Sequence, residues 1–181
     1  MLVDEATFLK LALEEPNALL ELHCGIVRRK PGMSAAHNET NIRLASWLFL
    51  QLDQKEFRVR CNAGHVRRSA ERYYIPDVAV LPTALVLPQL PQRTLEVYRD
   101  PLPLVVEIWS PSTGDYDIEV KLVEYQRRGD LEIWRIHPFD RTLTAWRRQP
   151  DGSYSESHFA GGVVRPVALP NVSIDLDTLF D

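Results

Sequence analysis

The sequence has few cysteines, and those it has are far apart. Cys24 and Cys61 are separated by 37 positions, and neither has a Cys or His beside it at metal-ligand spacing. This argues against a disulfide framework and against a zinc finger. Both thiols are expected to be reduced and to behave as small hydrophobic side chains, as in a cytoplasmic protein.

Long apolar runs and a basic amino terminus are also lacking. No stretch approaches the roughly 18 consecutive apolar residues that a membrane-spanning helix needs, and Asp4 and Glu5 stand where a secretory signal would be basic. The sequence therefore predicts a protein that is neither secreted nor inserted in a membrane.

There is no excess of positive charge. Twenty-one Lys and Arg residues face 25 Asp and Glu residues, which gives a net charge of −4. Any contact with phosphate must therefore come from a local basic patch or a metal ion. The 181 residues are 45% hydrophobic and 25% charged, as is usual for a globular protein. One domain over residues 1–181 is expected.

Hydrophobic periodicity predicts alternating helices and strands. Helices are predicted over 4–15, 36–52 and 115–128, and the second is expected to bury a stripe of Ile42, Ala45, Leu48 and Phe49. Strands are predicted over the following ranges: 18–29 (one strand, or a hairpin turning near Gly25), 57–61, 65–68, 75–81, 104–109, 131–136, 141–148 and 153–160.

Two connections complete this outline. Residues 62–64 are expected to join 57–61 and 65–68 as a hairpin, and the proline-rich segment 82–103 is expected to be a surface excursion. The order of elements is typical of an α/β (α+β) fold with a mixed central β-sheet flanked by helices.

An acidic residue interrupts the most apolar run of the sequence. Glu107 lies within the predicted strand 104–109, on the face that carries Val105 and Trp109. An unpaired buried carboxylate is costly, so Glu107 must be protonated, paired with a cation, bound to a metal or placed at an exposed strand end. A purely structural ion pair, with an arginine or with Lys121, is the alternative to a functional role.

Two more charged residues stand out. Asp77 follows Pro76 and opens a short apolar strand, where an acid is functional or simply part of a turn. Lys121 lies on the helix face that carries Ile118, Leu122 and Tyr125, which should pack on the sheet. It either extends to the rim of the core or points at an anionic group.

These three residues suggest a common chemistry. Two carboxylates at adjacent strand ends can hold a hard divalent ion such as Mg²⁺. A nearby ammonium can orient a metal-bound water and stabilise charge on a phosphate under attack. The sequence thus predicts phosphodiester hydrolysis by Asp77, Glu107 and Lys121.

The same residues belong to a longer pattern, which resembles the Uma-type family of bacterial restriction endonucleases within the PD-(D/E)XK nuclease superfamily. The resemblance runs from about Phe8 to Phe180 and rests on these residues: Pro76-Asp77, Val106-Glu107-Ile108-Trp109-Ser110-Pro111-Ser112-Thr113, Tyr116-Asp117, Lys121, Tyr125 and Glu132-Ile133-Trp134, with Glu21, Gly25 and His37 upstream.

The resemblance implies a restriction-endonuclease-like fold and a metal-dependent endodeoxyribonuclease. It implies that Asp77, Glu107 and the carbonyl of Ile108 bind Mg²⁺ or Mn²⁺. Trp109 stands two residues after Glu107, so a strict Glu-x-Lys motif is absent there, and Lys121 on the following helix is expected to take that role. The alternative is a non-catalytic module of the same fold that binds nucleic acid or a protein.

A literal Glu-x-Lys does occur at Glu119-Val120-Lys121. On a helix, residues two apart do not share a face, so this match is not expected to be the site. Three residues could add to the site: Glu21 as a further ligand or base, His37 as a supporting residue at the helix start, and Asp117, which also suits a helix N-terminus.

Substrate contacts are harder to predict. Arg58, Arg60, Arg67 and Arg68 are the proposed nucleic-acid-binding residues, since Arg58 and Arg60 share a strand face. No helix-turn-helix or nucleotide-binding loop supports sequence specificity. A homodimer is predicted from the superfamily, with the segment 85–97 as a candidate surface.

Overall fold

The computed structural model describes residues 2–181, apart from the side chain of Ile118. Within this range the helices are α1 Glu5–Glu14, α2 Ala35–Gln51, α3 Thr83–Val86, α4 Val123–Arg128 and α5 Leu176–Leu179. Short 3₁₀ turns span Pro16–Ala18 and Leu87–Gln89, and a π-helical turn, Asp117–Leu122, leads into α4. Side-chain caps mark two of the helix starts, where Asp4 and Ser34 accept the backbone N–H groups of Thr7 and His37.

The strands of the described range are β1 Leu20–His23, β2 Ile26–Arg29, β3 Phe57–Cys61, β4 His65–Ser69, β5 Arg72–Tyr74, β6 Val78–Pro82, β7 Val97–Tyr98, β8 Leu104–Ile108, β9 Glu132–His137, β10 Thr142–Arg148, β11 Tyr154–Phe159, β12 Val163–Val164 and β13 Ile174–Asp175. The turn between β1 and β2 falls at Cys24 and Gly25, both with positive φ, so the hairpin alternative for residues 18–29 is confirmed.

A six-stranded mixed sheet forms the centre, in the order β11-β10-β9-β8-β6-β3. Only β8 and β9 pair in parallel, and the other neighbours are antiparallel. One face packs on α2 and on the C-terminal segment. The other packs on α4 and on residues of the second sheet. The predicted mixed sheet flanked by helices is confirmed.

The second sheet has five strands, in the order β2-β1-β5-β4-β7, and β12 with β13 forms a separate two-stranded ribbon. Helix α1 covers part of the five-stranded sheet, where Phe8 packs among Leu20, Leu22 and Tyr73. The two larger sheets approach each other near Asp77, since β5 and β6 are consecutive but belong to different sheets.

The predicted hairpin of residues 57–61 and 65–68 is wrong. Strand β3 pairs with β6, whereas β4 pairs with β5 and β7. The backbone turns sharply between them, because Asn62 and Gly64 have φ values of 48° and 75°. The N–H of Asn62 also donates to the carbonyl of Asp77 at 2.8 Å, which directs the chain from one sheet to the other.

The predicted buried stripe of α2 is correct only for Ala45 and Leu48. Ile42 and Phe49 are 55% and 54% exposed, and Leu44 is buried in their place. Ile42 is two residues from Leu44, or roughly 200° around the helix. Leu44 and Leu48 face the sheet with the polar His37 and Asn41, so a count of apolar residues alone selected the wrong side.

The proline-rich segment 82–103 is only partly a surface excursion. It contributes α3 and β7, and it buries Val86, Tyr98 and Leu102, while Leu87 and Leu90 remain exposed. The two cysteines form no disulfide and are exposed. No helix within residues 2–181 has both the length and the apolar character that crossing a membrane requires.

Candidate active site

The two predicted acidic ligands lie side by side at one end of the central sheet. Val78 of β6 pairs with Val106 of β8, so the antiparallel register continues to Asp77 and Glu107. Opposite residues of an antiparallel pair project to the same face. The backbone N–H of Ile108 donates to Asp77 Oδ2 at 2.6 Å, which fixes the two strand ends together.

Asp77 is buried and held by a lysine that the sequence did not single out for this role. Lys30 Nζ lies 2.7 Å from Asp77 Oδ1 and also donates to Asn62 Oδ1 and the carbonyl of Ile75. His37 Nε2 lies 3.0 Å from Asp77 Oδ2 but outside hydrogen-bonding geometry. Burial alone would raise the pKa of Asp77, but Lys30 and then His37 outweigh it and hold the pKa below its usual value.

Glu107 is buried in β8, and its two carboxylate oxygens differ. Oε1 accepts from the hydroxyl of Tyr125 at 2.5 Å and lies 3.2 Å from Lys121 Nζ, whereas Oε2 is buried without a hydrogen-bond partner. Burial raises the pKa of Glu107 well above its usual value; Lys121 opposes this shift and the nearby Asp117 adds to it. An additional positive charge at Oε2 would therefore be favourable.

Lys121 is fully enclosed, and its ammonium is shared among three carboxylates. Nζ lies 2.9 Å from Glu21 Oε1, 3.2 Å from Glu107 Oε1 and 3.6 Å from Asp117 Oδ1. Burial would lower the pKa of Lys121, but the three carboxylates, Glu107 foremost, raise it well above its usual value. Of the two alternatives predicted for Lys121, extension to the rim of the core or contact with an anionic group, the structure shows the second.

The additional residues suggested by the sequence also fall in this cluster. Glu21 comes from β1 of the five-stranded sheet, where Oε1 accepts the N–H of Ile75 at 2.9 Å. Asp117 opens the π-helical turn, and burial raises its pKa despite Lys121. His37 stands at the start of α2 against Asp77. Segments from both sheets, α2 and the π-helical turn therefore meet at one point.

The acidic groups of this cluster outnumber its basic groups. Four buried carboxyl groups, those of Glu21, Asp77, Glu107 and Asp117, share only the ammoniums of Lys30 and Lys121 in their ion pairs with lysine. Burial raises the pKa values of two of the four, Glu107 and Asp117. The Glu107–Lys121 pair considered from the sequence exists, but it does not by itself compensate the site.

The literal Glu-x-Lys motif is not built into the site, as predicted. Glu119 is exposed, whereas Lys121 two residues later is buried. The predicted helix 115–128 is confirmed in its second half, which ends at Gly129 with φ 82°. Its first half is a π-helical turn, a form that often occurs at functional sites.

A cleft of about 260 Å³ opens onto the cluster. It is lined by acidic residues of the cluster (Glu21, Asp117), by cations (Arg28, Arg29, Lys30, Lys121) and by Pro31, Ser112, Thr113 and Tyr116. The guanidinium of Arg28 lies 5.1 Å from the ring centre of Tyr116. The cleft therefore combines a positively charged entrance with an acidic base.

The predicted nucleic-acid-binding arginines lie elsewhere and are mostly paired. Arg58 and Arg60 are on β3, and Arg67 and Arg68 are on β4 of the other sheet. Arg60 pairs with Glu96, Arg67 with Glu5 and Arg68 with Glu124, at 2.7, 2.7 and 3.7 Å.

The donors of the cluster fit a hard divalent cation. They are the oxygens of four carboxyl groups beside only two ammonium groups, and two of these oxygens, Glu107 Oε2 and Asp117 Oδ1, are buried without a hydrogen-bond partner. Across residues 2–181, no three His, Cys, Asp or Glu side chains already stand together as a ligand set. Lys121 lies between three of the carboxylates, and Lys30 contacts Asp77 alone among the acids of the cluster.

The sequence did not predict that Lys30 and Tyr125 contact the acids of the site. Lys30 belongs to the basic run Arg28-Arg29-Lys30 at the end of β2. Tyr125 was identified only as part of the family pattern and of an apolar helix face. The only signal for Lys30 is its place directly before Pro31-Gly32, where the strand stops and the side chain is free to turn inward. Nothing in the sequence connects it to Asp77.

The family can be stated from the sequence match. A profile of the family described as "Uma2: Putative restriction endonuclease" matches residues 5–177. The chain belongs to the Uma2 family. The resemblance predicted from the residue pattern is thereby confirmed for nearly the whole chain, and the Uma2 match includes every residue of the buried cluster. No protein with a curated description matches the chain.

The Uma2 chain also has a solved structural relative. It is similar to the crystal structure of a protein from Anabaena variabilis ATCC 29413 that is described as "a putative nuclease belonging to DUF820", with a TM-score of 0.80 and 18% sequence identity. The match covers 98% of this chain and 97% of that chain. At this identity the likeness shows the fold.

Proposed function

We propose that this protein is a metal-dependent endonuclease that hydrolyses phosphodiester bonds, most simply in DNA. The observation that carries the proposal is the buried cluster at the base of a basic cleft, in which acidic groups outnumber basic groups. Membership of a family described as restriction endonucleases supports the same reaction class. Four carboxyl groups beside two ammonium groups, with the orphaned oxygens Glu107 Oε2 and Asp117 Oδ1, suit one divalent cation, for which Mg²⁺ and Mn²⁺ are the candidates.

In this proposal Asp77, Glu107 and the carbonyl of Ile108 hold the cation, and Glu21 or Asp117 completes the set. When bound, such a cation supplies Lewis-acid stabilisation of charge on the phosphate. Asp77 is kept ionised and fixed by Lys30 and by the N–H of Ile108. This arrangement holds one carboxylate in place before substrate arrives, which reduces reorganisation during the reaction.

Lys121 and the cleft residues take the remaining roles. The ammonium of Lys121 lies between the acids and the cleft, where it can donate to a water or to a phosphate oxygen. Arg28 and Arg29 line the entrance and would hold the neighbouring phosphates. The hydroxyl of Tyr125 orients Glu107 from the core side.

The first test is metal binding together with cleavage. We expect Mg²⁺ or Mn²⁺ to bind in calorimetry, to stabilise the fold, and to support nicking of a plasmid that stops when the metal is chelated. At a metal concentration about 100 times the dissociation constant, the free energy of unfolding should rise by about 2.7 kcal/mol. Absence of heat, stabilisation and nicking at millimolar metal would favour a non-catalytic module with a structural ion-pair network.

A second expectation concerns the cleft entrance. Arg28→Gln should weaken DNA binding about equally for all sequences and reduce the salt dependence of the binding constant by about one ion. Arg127→Gln is the matched control, because Arg127 is also exposed but lies outside the cleft and pairs with Glu124. Binding measured by fluorescence anisotropy at several salt concentrations checks this. Equal losses in both variants would contradict a phosphate-binding role for the cleft.

The other predictions about partners remain predictions. Arg58, Arg60, Arg67 and Arg68 can be compared with Arg28 in the same binding assay. The predicted homodimer has a candidate surface in the segment 85–97, where Leu87 and Leu90 are exposed.

A further inference from the structure

A cluster of aromatic rings lies directly beyond the acidic cluster on the same face of the central sheet. The N–H of Trp109 donates to the carbonyl of Ile136, so the parallel pairing of β8 and β9 extends past Ile108. Glu107 pairs with Arg135, which places Trp109 beside His137 in the next row of that face. Two strand residues span roughly 6.6 Å, so this row is adjacent to Glu107.

The rings are arranged as a rigid platform. Trp109 and His137 stack with centroids 4.3 Å apart and planes 25° from parallel, and Phe139 packs edge-on against Trp109 at 5.7 Å. The imidazole is held in place because its Nδ1 accepts the backbone N–H of Asp140 at 3.1 Å. Phe139 is nevertheless 55% exposed. A pre-ordered aromatic group of this kind offers a free ring surface to a planar ligand.

The surroundings favour a ligand that is both planar and anionic. Arg135 stands beside Glu107 on β9, in the row next to the aromatic rings, and its Nε is buried without a hydrogen-bond partner. Its Nη2 is paired only with Asp115, an exposed residue, at 3.1 Å. A nucleotide fits this combination, since its base can stack on the rings while its phosphate approaches the arginine and the acidic cluster.

We propose that Trp109, His137 and Phe139 form a stacking platform for an unpaired nucleobase next to the scissile phosphate. Bases inside a duplex are covered by their neighbours, so only an unpaired base presents its face to aromatic rings. The platform therefore favours single-stranded or locally unpaired nucleic acid over a continuous duplex. This inference rests on the proposed nuclease function.

The test compares labelled single-stranded DNA, single-stranded RNA and duplex DNA of one sequence, with chelator present to prevent cleavage. Phe139→Ala is expected to weaken binding to both single strands about tenfold, in keeping with stacking measured elsewhere by alanine substitution. Duplex binding should change by less than about twofold. Phe49→Ala is the matched control, because Phe49 is 54% exposed on α2, and it should change none of the three affinities.

Two further variants separate stacking from general hydrophobic contact. Phe139→Trp should retain single-strand binding, whereas Phe139→Leu, which keeps apolar area but no ring, should lose it. The inference is overturned if Phe139→Ala weakens duplex and single-strand binding equally, if neither changes, or if Phe139→Leu binds like the wild type. A changed oligomeric mass with unchanged nucleic-acid binding would also overturn it and assign the rings to a contact between copies.

The experiment also distinguishes this inference from the function on which it rests. Metal-dependent cleavage of duplex DNA with no preference for unpaired bases would contradict the stacking role of the aromatic rings and leave the nuclease proposal intact. A wild-type protein that binds none of the three nucleic acids would contradict both.

Discussion

Glu107→Gln is expected to reduce metal-dependent cleavage strongly while leaving the fold, without metal, at least as stable as the wild type. The substitution replaces a buried carboxyl group whose ionisation is already disfavoured by burial, which raises its pKa well above the usual value. Glutamine retains the size of the side chain and an oxygen that can accept from Tyr125. Lys121 keeps Glu21 and Asp117 as partners, at 2.9 and 3.6 Å.

Cleavage should fall because glutamine cannot supply the negative carboxylate that would bind the cation. A loss on the order of 10²–10³ is expected, comparable to removal of one stabilising group from other active sites. Plasmid nicking with Mg²⁺ and urea unfolding in chelator measure the two effects separately. A substitution that lowers activity without lowering the stability of the fold is typical of a functional residue rather than a structural one.

Glu119→Gln provides the control for this experiment. Glu119 is an exposed acid on the same π-helical turn, and its substitution should alter neither cleavage nor stability by much. If Glu107→Gln instead loses about 3 kcal/mol or more, with cleavage falling only as far as the folded fraction, Glu107 is a structural partner of Lys121.

Lys30→Met should give the largest loss of stability in the site, about 3–5 kcal/mol, because it leaves Asp77 buried without its main cation. Lys30 is itself buried, and its ammonium also binds Asn62 and the carbonyl of Ile75. Those two acceptors would lose a hydrogen bond as well. Equilibrium unfolding in urea gives the free-energy difference directly.

The neighbouring residue offers a control, and Asp77 itself offers a rescue. Arg29→Met should change the free energy of unfolding by less than about 1 kcal/mol, since its pair with Glu15 is exposed. Lys30→Met combined with Asp77→Asn should recover much of the loss, because the carboxylate that lost its cation is also removed. A double variant that is as unstable as the sum of the single variants would show that Lys30 acts through packing alone.

Two of the predicted site residues, Glu107 and Lys121, share one property: each is a charged residue in an apolar segment of the sequence. Glu107 is a charge within an apolar strand, and Lys121 is a charge on an apolar helix face. Both are buried and in contact. The nuclease interpretation itself came from the resemblance to a family, since spacing alone allowed a structural ion pair.

The parts that were not predicted depend on which segments meet. Lys30 and Asp77 are 47 positions apart in the sequence. Because Lys30 ends a run of basic residues that is expected to be solvated, nothing in its neighbouring sequence indicates that it is buried. The same reason accounts for the strand pairing of β3 and β4. Residues 62–64 have the composition of a hairpin turn, but the choice between a mutual pair and two separate sheets depends on β6 and β5, which come later in the chain.

The π-helical turn determines where Asp117, Lys121 and Tyr125 lie around the helix axis relative to one another. An α-helix completes a turn in 3.6 residues with hydrogen bonds between residues four apart, whereas a π-helical turn bonds residues five apart and so holds one more residue. Asp117 and Lys121 are four apart and in contact, and Tyr125, four further on, reaches the same carboxylate as Lys121. Deleting the exposed Glu119 would favour an ordinary α turn in which Asp117 and Lys121 are three residues apart and still on one face, so their contact should survive. The π turn thus adds one exposed residue to the chain without moving the buried face of this segment away from the acids.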